Sequence, residues 1–233
     1  AVADYVGDSY YLAKVAKEVP QSTLVFCGVS FMGECAKILN PEKTVLMPDM
    51  EADCPMAHMV KDGLVQQMRE TYDDLAVVCY VNSTAAVKAQ VDVCVTSSNA
   101  MKIVKALPNH NIFFIPDCNL GRHIAAHVPE KNFIFNEGYC PIHNVITVME
   151  VKNQHPEAKI LIHPECIPEV VALADYAGST SGIIEYAEKS DAKEFIIVTE
   201  EGVMYELGRR CPGKKFYQPK KTPICPGMKL VTL

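Results

Sequence analysis

No stretch of this chain is apolar for the eighteen or so residues that a membrane-spanning helix needs; the longest runs, such as Leu75–Val81, have the length of a strand. The first residues, Ala-Val-Ala-Asp-Tyr, carry neither the positive region nor the apolar centre of a secretion signal. No Lys/Arg-rich tract is present, and 22 basic against 28 acidic residues leave a formal charge of −6. Nucleic acid and anionic membrane surfaces are therefore poor partners, and the chain reads as cytoplasmic. No cysteine pair has the C-x-x-C spacing, which argues against zinc ribbons and thioredoxin-like sites.

What is present is cysteine in quantity, ten in 233 residues, inside a chain that is 49% hydrophobic. That fraction builds a core without disulfide staples. Cys27, Cys79 and Cys94 lie in apolar strand-like runs and read as small buried hydrophobes.

The informative cysteines come from an internal repeat. Ala3-Asp4-Tyr5-Val6-Gly7-Asp8-Ser9 recurs as Ala174-Asp175-Tyr176-Ala177-Gly178-Ser179-Thr180, with a looser copy at Val91–Ser97. Each copy continues into a helical pattern, an apolar strand (Leu24–Gly28, Ile112–Pro116, Phe195–Thr199) and a second helix opening at Phe31, Leu120 or Val203. A proline with a lysine two residues on then closes the helix at Pro41, Pro129 and Pro212, and a further strand leads to a Cys-Pro pair. Ser9, Ser97 and Thr180 precede Cys54, Cys140 and Cys225 by 45, 43 and 45 residues, and those cysteines stand 86 and 85 apart. Cys211-Pro212 is out of register and reads as structural.

Copies two and three begin with a strand, a polar turn (Val81–Thr84; His163–Glu165) and a short helix, with Tyr80 and His163 each 17 residues before the Ser/Thr landmark. Copy one has no counterpart, so the repeat predicts a further strand–turn–helix of roughly 20–30 residues upstream of Ala1. Alternating strands and helices, with strands apolar throughout, predict an α/β fold with short parallel sheets. The expected architecture is three pseudo-threefold-related three-layer α/β/α units, over residues 1–70, 71–154 and 155–233, around a central cavity.

Three equivalent thiols at strand exits suit an iron–sulfur cluster with one iron lacking a protein ligand, or a Cys₃ zinc site. An open position argues for Lewis-acid catalysis. The Ser/Thr landmarks have N-cap spacing and read either as ordinary caps or as anion-binding helix starts. Tyr80 with Asn82, and His163 with Glu165, are candidates for proton transfer and orientation. His58, His123, His127 and His143 read as surface or satisfied histidines, and Met56 and Met59 as packing.

Phe31-Met32-Gly33-Glu34, Pro41-Glu42-Lys43-Thr44, Tyr80-Val81-Asn82-Ser83-Thr84-Ala85, Thr96-Ser97-Ser98-Asn99-Ala100, His163-Pro164-Glu165 and Cys225-Pro226-Gly227-Met228-Lys229 together resemble the quinolinate synthase family, from Ala1 to Leu233. The resemblance implies a triangular assembly of three α/β/α units around a [4Fe–4S] cluster held by Cys54, Cys140 and Cys225. It implies condensation of iminoaspartate with dihydroxyacetone phosphate to quinolinate for NAD synthesis, with loss of phosphate and water. Carried over, Glu165, His163 and Tyr80 are catalytic, and Ser9, Asn82, Ser97 and Thr180 bind substrate. An aspartate oxidase or dehydrogenase is the implied source of iminoaspartate. The family's upstream His-x-Tyr strand exit has no match here, and the chain runs only eight residues past Cys225 where the family commonly continues into a helix. A cluster-dependent hydro-lyase of another polycarboxylate, and a non-enzymatic iron–sulfur or zinc redox sensor, are the alternatives.

Overall fold

The computed structural model describes residues 3–232. Helices and strands alternate as α1 (Ser9–Glu18), β1 (Thr23–Val25), α2 (Ser30–Leu39), β2 (Thr44–Leu46), α3 (Leu64–Thr71), β3 (Leu75–Tyr80), α4 (Ala85–Lys88), β4 (Val93–Val95), α5 (Ala100–Ala106) and β5 (Asn111–Ile115). The order continues with α6 (Cys118–Ala125), β6 (Asn132–Phe135), α7 (Met149–Gln154), β7 (Lys159–Ile162), α8 (Pro168–Val171), β8 (Tyr176–Ala177), α9 (Thr180–Lys189), β9 (Glu194–Val198), α10 (Val203–Arg210) and β10 (Lys215–Tyr217). Every strand pair is parallel. The chain traces one path twice, in sheets ordered β4-β3-β5-β6 and β8-β7-β9-β10, while β1-β2 repeats the β5-β6 half of it. The fold is α/β with short parallel sheets, as the alternation predicts.

The central strands are apolar because both their faces are covered. Ile112 and Phe114 of β5 pack into one core cluster, Phe113 and Ile115 into another. β1 and β2 depart from this expectation. Among the described residues β1 pairs with β2 alone, and its Val25 is 65% exposed. Cys27 and Cys94 are exposed too, so of the three cysteines read as buried hydrophobes only Cys79 is one.

The repeat's landmarks have structural explanations. Each Pro-x-Lys lysine spans back to the end of an earlier helix, where backbone carbonyls lack helical partners. Lys43 Nζ donates to Ala16 O and Val19 O (2.7 and 2.6 Å) after α1, and Lys131 Nζ to Leu107 O and Asn109 O (both 2.7 Å) after α5. Lys214 Nζ does the same at α9 through Ala187 O and Ser190 O. Likewise Asp92 and Asp175 accept the amides of Val77 (2.7 Å) and Ile160 (2.8 Å) in the neighbouring strand. Among the described residues no helix is long and apolar enough to cross a membrane.

Candidate active site and metal centre

The loops bearing Cys54, Cys140 and Cys225 are set by one repeated backbone bond. Ser30 N donates to Ala52 O (2.8 Å), Cys118 N to Gly138 O (2.8 Å) and Glu201 N to Pro223 O (3.0 Å). In each case the acceptor lies two residues before the cysteine. Carboxylates reach two of the cysteine amides: Cys54 N donates to Asp53 Oδ1 (2.8 Å) and Cys225 N to Glu200 Oε1 (3.3 Å).

These loops also touch one another. A Cβ on Gly227 would stand 2.1 Å from Asp53 O, so the third loop lies directly on the first. Tyr139 N donates to Met59 Sδ (3.4 Å) and Asn136 Nδ2 to Met59 O (3.2 Å), joining the second loop to the first. His143 Nε2 pairs with Thr199 Oγ1 (3.0 Å), joining the second to the third copy. Met59, read as packing, is thus a bridge. The thiols report the same proximity. Burial pushes Cys54 up to about 12, with Glu165 and Cys225 adding repulsion. Burial, Glu165 and Cys54 raise Cys140.

Glu165 is the hub beside them, 4% exposed in the turn after β7. Tyr80, the last residue of β3, donates its hydroxyl to Glu165 Oε1 at 2.8 Å across 85 residues of sequence. His143 Nδ1 lies 2.8 Å from Glu165 Oε2 and 3.1 Å from Cys140 Sγ. His163 Nδ1 accepts the Glu165 amide (3.3 Å) and stands 4.0 Å from Oε2. Asn119 Nδ2 donates to Glu165 O (3.1 Å) and Asn144 Oδ1 (3.1 Å), holding the turn from α6.

Electrostatics assign the protons. Burial raises the Glu165 carboxyl, but His163, His143 and the Tyr80 hydroxyl outweigh it and leave the group well below the usual carboxylate range. Burial holds His163 down at about 4, so it is charged and lowers Glu165 only in acid; at pH 7 its imidazole is neutral and the His143 and Tyr80 donors hold the Glu165 anion. Burial and the facing carboxylate push Tyr80 well up, keeping its proton on. Asp117 is fully buried; Oδ1 accepts Asn119 N (2.8 Å) and Leu120 N (2.9 Å), while Oδ2 has no partner among the described residues. Burial and Glu165 raise it.

The structure therefore brings Tyr80, His163, Glu165 and Cys140 together and links the loops of Cys54 and Cys225 to them. The sequence reading missed His143, which it left among satisfied histidines; its signal was a Cys-x-x-His spacing present in one copy only. It also missed Asp117. At α1 and α9 the capping side chain is the residue just before the Ser/Thr landmark. Asp8 caps α1 by accepting Tyr11 N (2.9 Å), and Ser179 caps α9 by accepting Gly182 N (3.2 Å). Ser9 and Thr180 sit one residue inside those helices, with hydroxyls outside the capping bonds. Ser97 lies in the turn ahead of α5, where Asn99 Oδ1 accepts Thr96 N (2.7 Å). Asn82 follows in the turn after Tyr80, half-buried. Cys140, His143 and Glu165 offer donor atoms within 4.8 Å of one another, a group able to hold a metal ion.

The family model described as NadA, quinolinate synthetase A protein, matches residues 1–233. The chain is 55% identical to the quinolinate synthase of Fusobacterium nucleatum and 53% identical to that of Caldicellulosiruptor saccharolyticus, in each case over all of this chain and 78% of the relative. It is 52% identical to the quinolinate synthase of Clostridioides difficile, over all of this chain and 77% of that protein. With a family match over its whole length, relatives about half identical across it, and a buried carboxylate held between two histidines and a tyrosine beside Cys140, the chain belongs to the quinolinate synthetase A family of NAD-biosynthetic enzymes.

Proposed function

We propose that the chain joins iminoaspartate to dihydroxyacetone phosphate, with loss of phosphate and water, to give quinolinate in the cytoplasm. The observation that carries this reading is Glu165: an ionised, buried carboxylate held by Tyr80 from one repeat and His143 beside Cys140. In support, the Cys225 and Cys140 loops each contact the Cys54 loop and His143 reaches Thr199 of the third copy, contacts expected of a pseudo-threefold arrangement of units 1–70, 71–154 and 155–233.

The donor set fits a [4Fe–4S] cluster. Thiols are soft ligands, and Cys54 and Cys140, both near Glu165 and each near another of the three cysteines, repel as anions unless a cationic centre compensates. Cys54, Cys140 and Cys225 would hold it, and when bound it supplies a Lewis-acidic iron without a protein ligand. Glu165 is placed to take a proton from substrate carbon or nitrogen and return it to a departing hydroxyl. Tyr80 steadies the Glu165 anion and donates to an oxygen as negative charge develops there. Neutral His163, its Nδ1 turned to the Glu165 amide, offers Nε2–H to substrate. Ser9, Ser97 and Thr180, at or ahead of helix starts, and Asn82 supply hydroxyl and amide donors for carboxylate and phosphate oxygens. An aspartate oxidase or dehydrogenase acts upstream to furnish the imine.

The test is anaerobic purification, iron and sulfide analysis, and assay of quinolinate from the two substrates. About four iron and four sulfide per chain with product formation support the reading. A single metal without sulfide would place a mononuclear site on Cys140, His143 and Glu165 instead. A full cluster without product would point to another hydro-lyase substrate or a redox role.

A further inference from the structure

A second set of thiols lies apart from the cluster loops. Cys79 of β3 and Cys94 of β4 are partners in register on adjacent parallel strands. Their side chains leave the same sheet face one strand spacing apart, about 4.8 Å, within the Cα separation that a disulfide bridges. Cys79 is fully buried; Cys94 is exposed, on the edge strand of its sheet. Lys88 of α4 donates to Ser83 O and acts on both thiols, and Cys35 of α2 is buried nearby.

We infer that Cys79 and Cys94 form a dithiol modification site that exchanges with small disulfides. The Cys94 thiolate attacks a disulfide RSSR, forming Cys94–S–SR and releasing RS⁻. Cys79 then gives up its proton and displaces the second RS⁻, leaving a Cys79–Cys94 bridge. Two electrons pass from the protein pair to the small disulfide, and two RSH form in all. The division of labour follows from burial and hydrogen bonding. The neighbouring Cys79 lowers the Cys94 thiol to about 7 against its partial burial, with Lys88 helping, while Cys94 and burial raise Cys79, which keeps its proton. The site adjoins the reaction centre. Cys79 precedes Tyr80, and its sulfur bonds Ser83 Oγ at 3.0 Å within the turn that carries Tyr80 and Asn82. Bridging redirects that sulfur and disturbs the turn, so oxidation lowers turnover.

The experiment uses anaerobic, cluster-loaded protein in a Cys27→Ser background, because Cys27 is exposed, with 5,5′-dithiobis(2-nitrobenzoate) as the probe at pH 7. Two equivalents of coloured thiol are expected in the fast phase, about threefold faster than an unperturbed cysteine, with a Cys79–Cys94 cross-linked peptide. Cys79→Ser then yields one equivalent and a persistent adduct on Cys94, and Cys94→Ser loses the fast phase. A fast phase that survives Cys94→Ser, a bridge mapped to Cys35, or a Cys94 adduct that persists beside intact Cys79 would overturn the inference.

Discussion

Gly227 lies against the backbone carbonyl of Asp53 with no room for a methyl group: an added Cβ would be 2.1 Å from that oxygen. Because backbone rather than a flexible side chain stands in the way, the loops themselves must move. Gly227→Ala is expected to part the Cys225 loop from the Cys54 loop and lower bound iron several-fold. Far-ultraviolet circular dichroism should stay unchanged, because the sheets do not involve this contact. Full iron content in that variant would contradict the packing.

Glu165→Gln keeps the shape of the hub and removes its charge. Turnover is expected to fall by about 10²–10⁴ with iron retained. Tyr80→Phe, which takes away one of the two donors holding the anion, is expected to fall less, by about tenfold to a hundredfold. Steady-state assays on iron-matched preparations check both, and an unchanged Glu165→Gln rate would remove its proton-transfer role.

His143 joins the Cys140 sulfur, the Glu165 carboxylate and Thr199. His143→Ala is expected to cost about 10–100-fold in activity. It should also lower the cluster's reduction potential, since hydrogen bonds to the sulfurs favour the reduced state. Electron paramagnetic resonance with a redox titration reads the second effect independently of turnover. An unshifted potential would confine His143 to the carboxylate.

Lys131 illustrates the opposite kind of residue. Lys131→Met leaves Leu107 O and Asn109 O without their ammonium, at a cost of about 1 kcal/mol. Thermal unfolding should fall by about 2–4 °C, with turnover unaffected. A matching loss of activity would show that this helix end communicates with the site.

Much of this architecture was legible because it is written three times. Register alone picked out Cys54, Cys140 and Cys225 and rejected Cys211, which is buried among the side chains around β9 and α10. Strand burial was legible where runs were apolar on both faces, as in β5, and misread at Cys27 and Cys94, since an apolar neighbourhood in sequence does not say that a strand has a partner on each side. His143 was illegible for the complementary reason. Its counterparts three residues after the other two cysteines are Ala57 and Met228, so repetition conceals it. The Tyr80–Glu165 bond was also hidden: each residue was nominated in its own turn, but only folding shows them to be partners. The Pro-x-Lys landmark repeats as faithfully as the cysteines and yet serves helix ends, so repetition marks geometry as readily as chemistry.

The three main-chain tethers that set the height of the cysteine loops have amide donors on Ser30, Cys118 and Glu201, residues with nothing chemical in common. Any side chain can occupy such a position, because the bond asks only for a peptide group. What it does not forgive is a change of count: one residue inserted between Gly138 and Cys140 would swing the sulfur away from its fellows. The cradle is thus indifferent to spelling and strict about length.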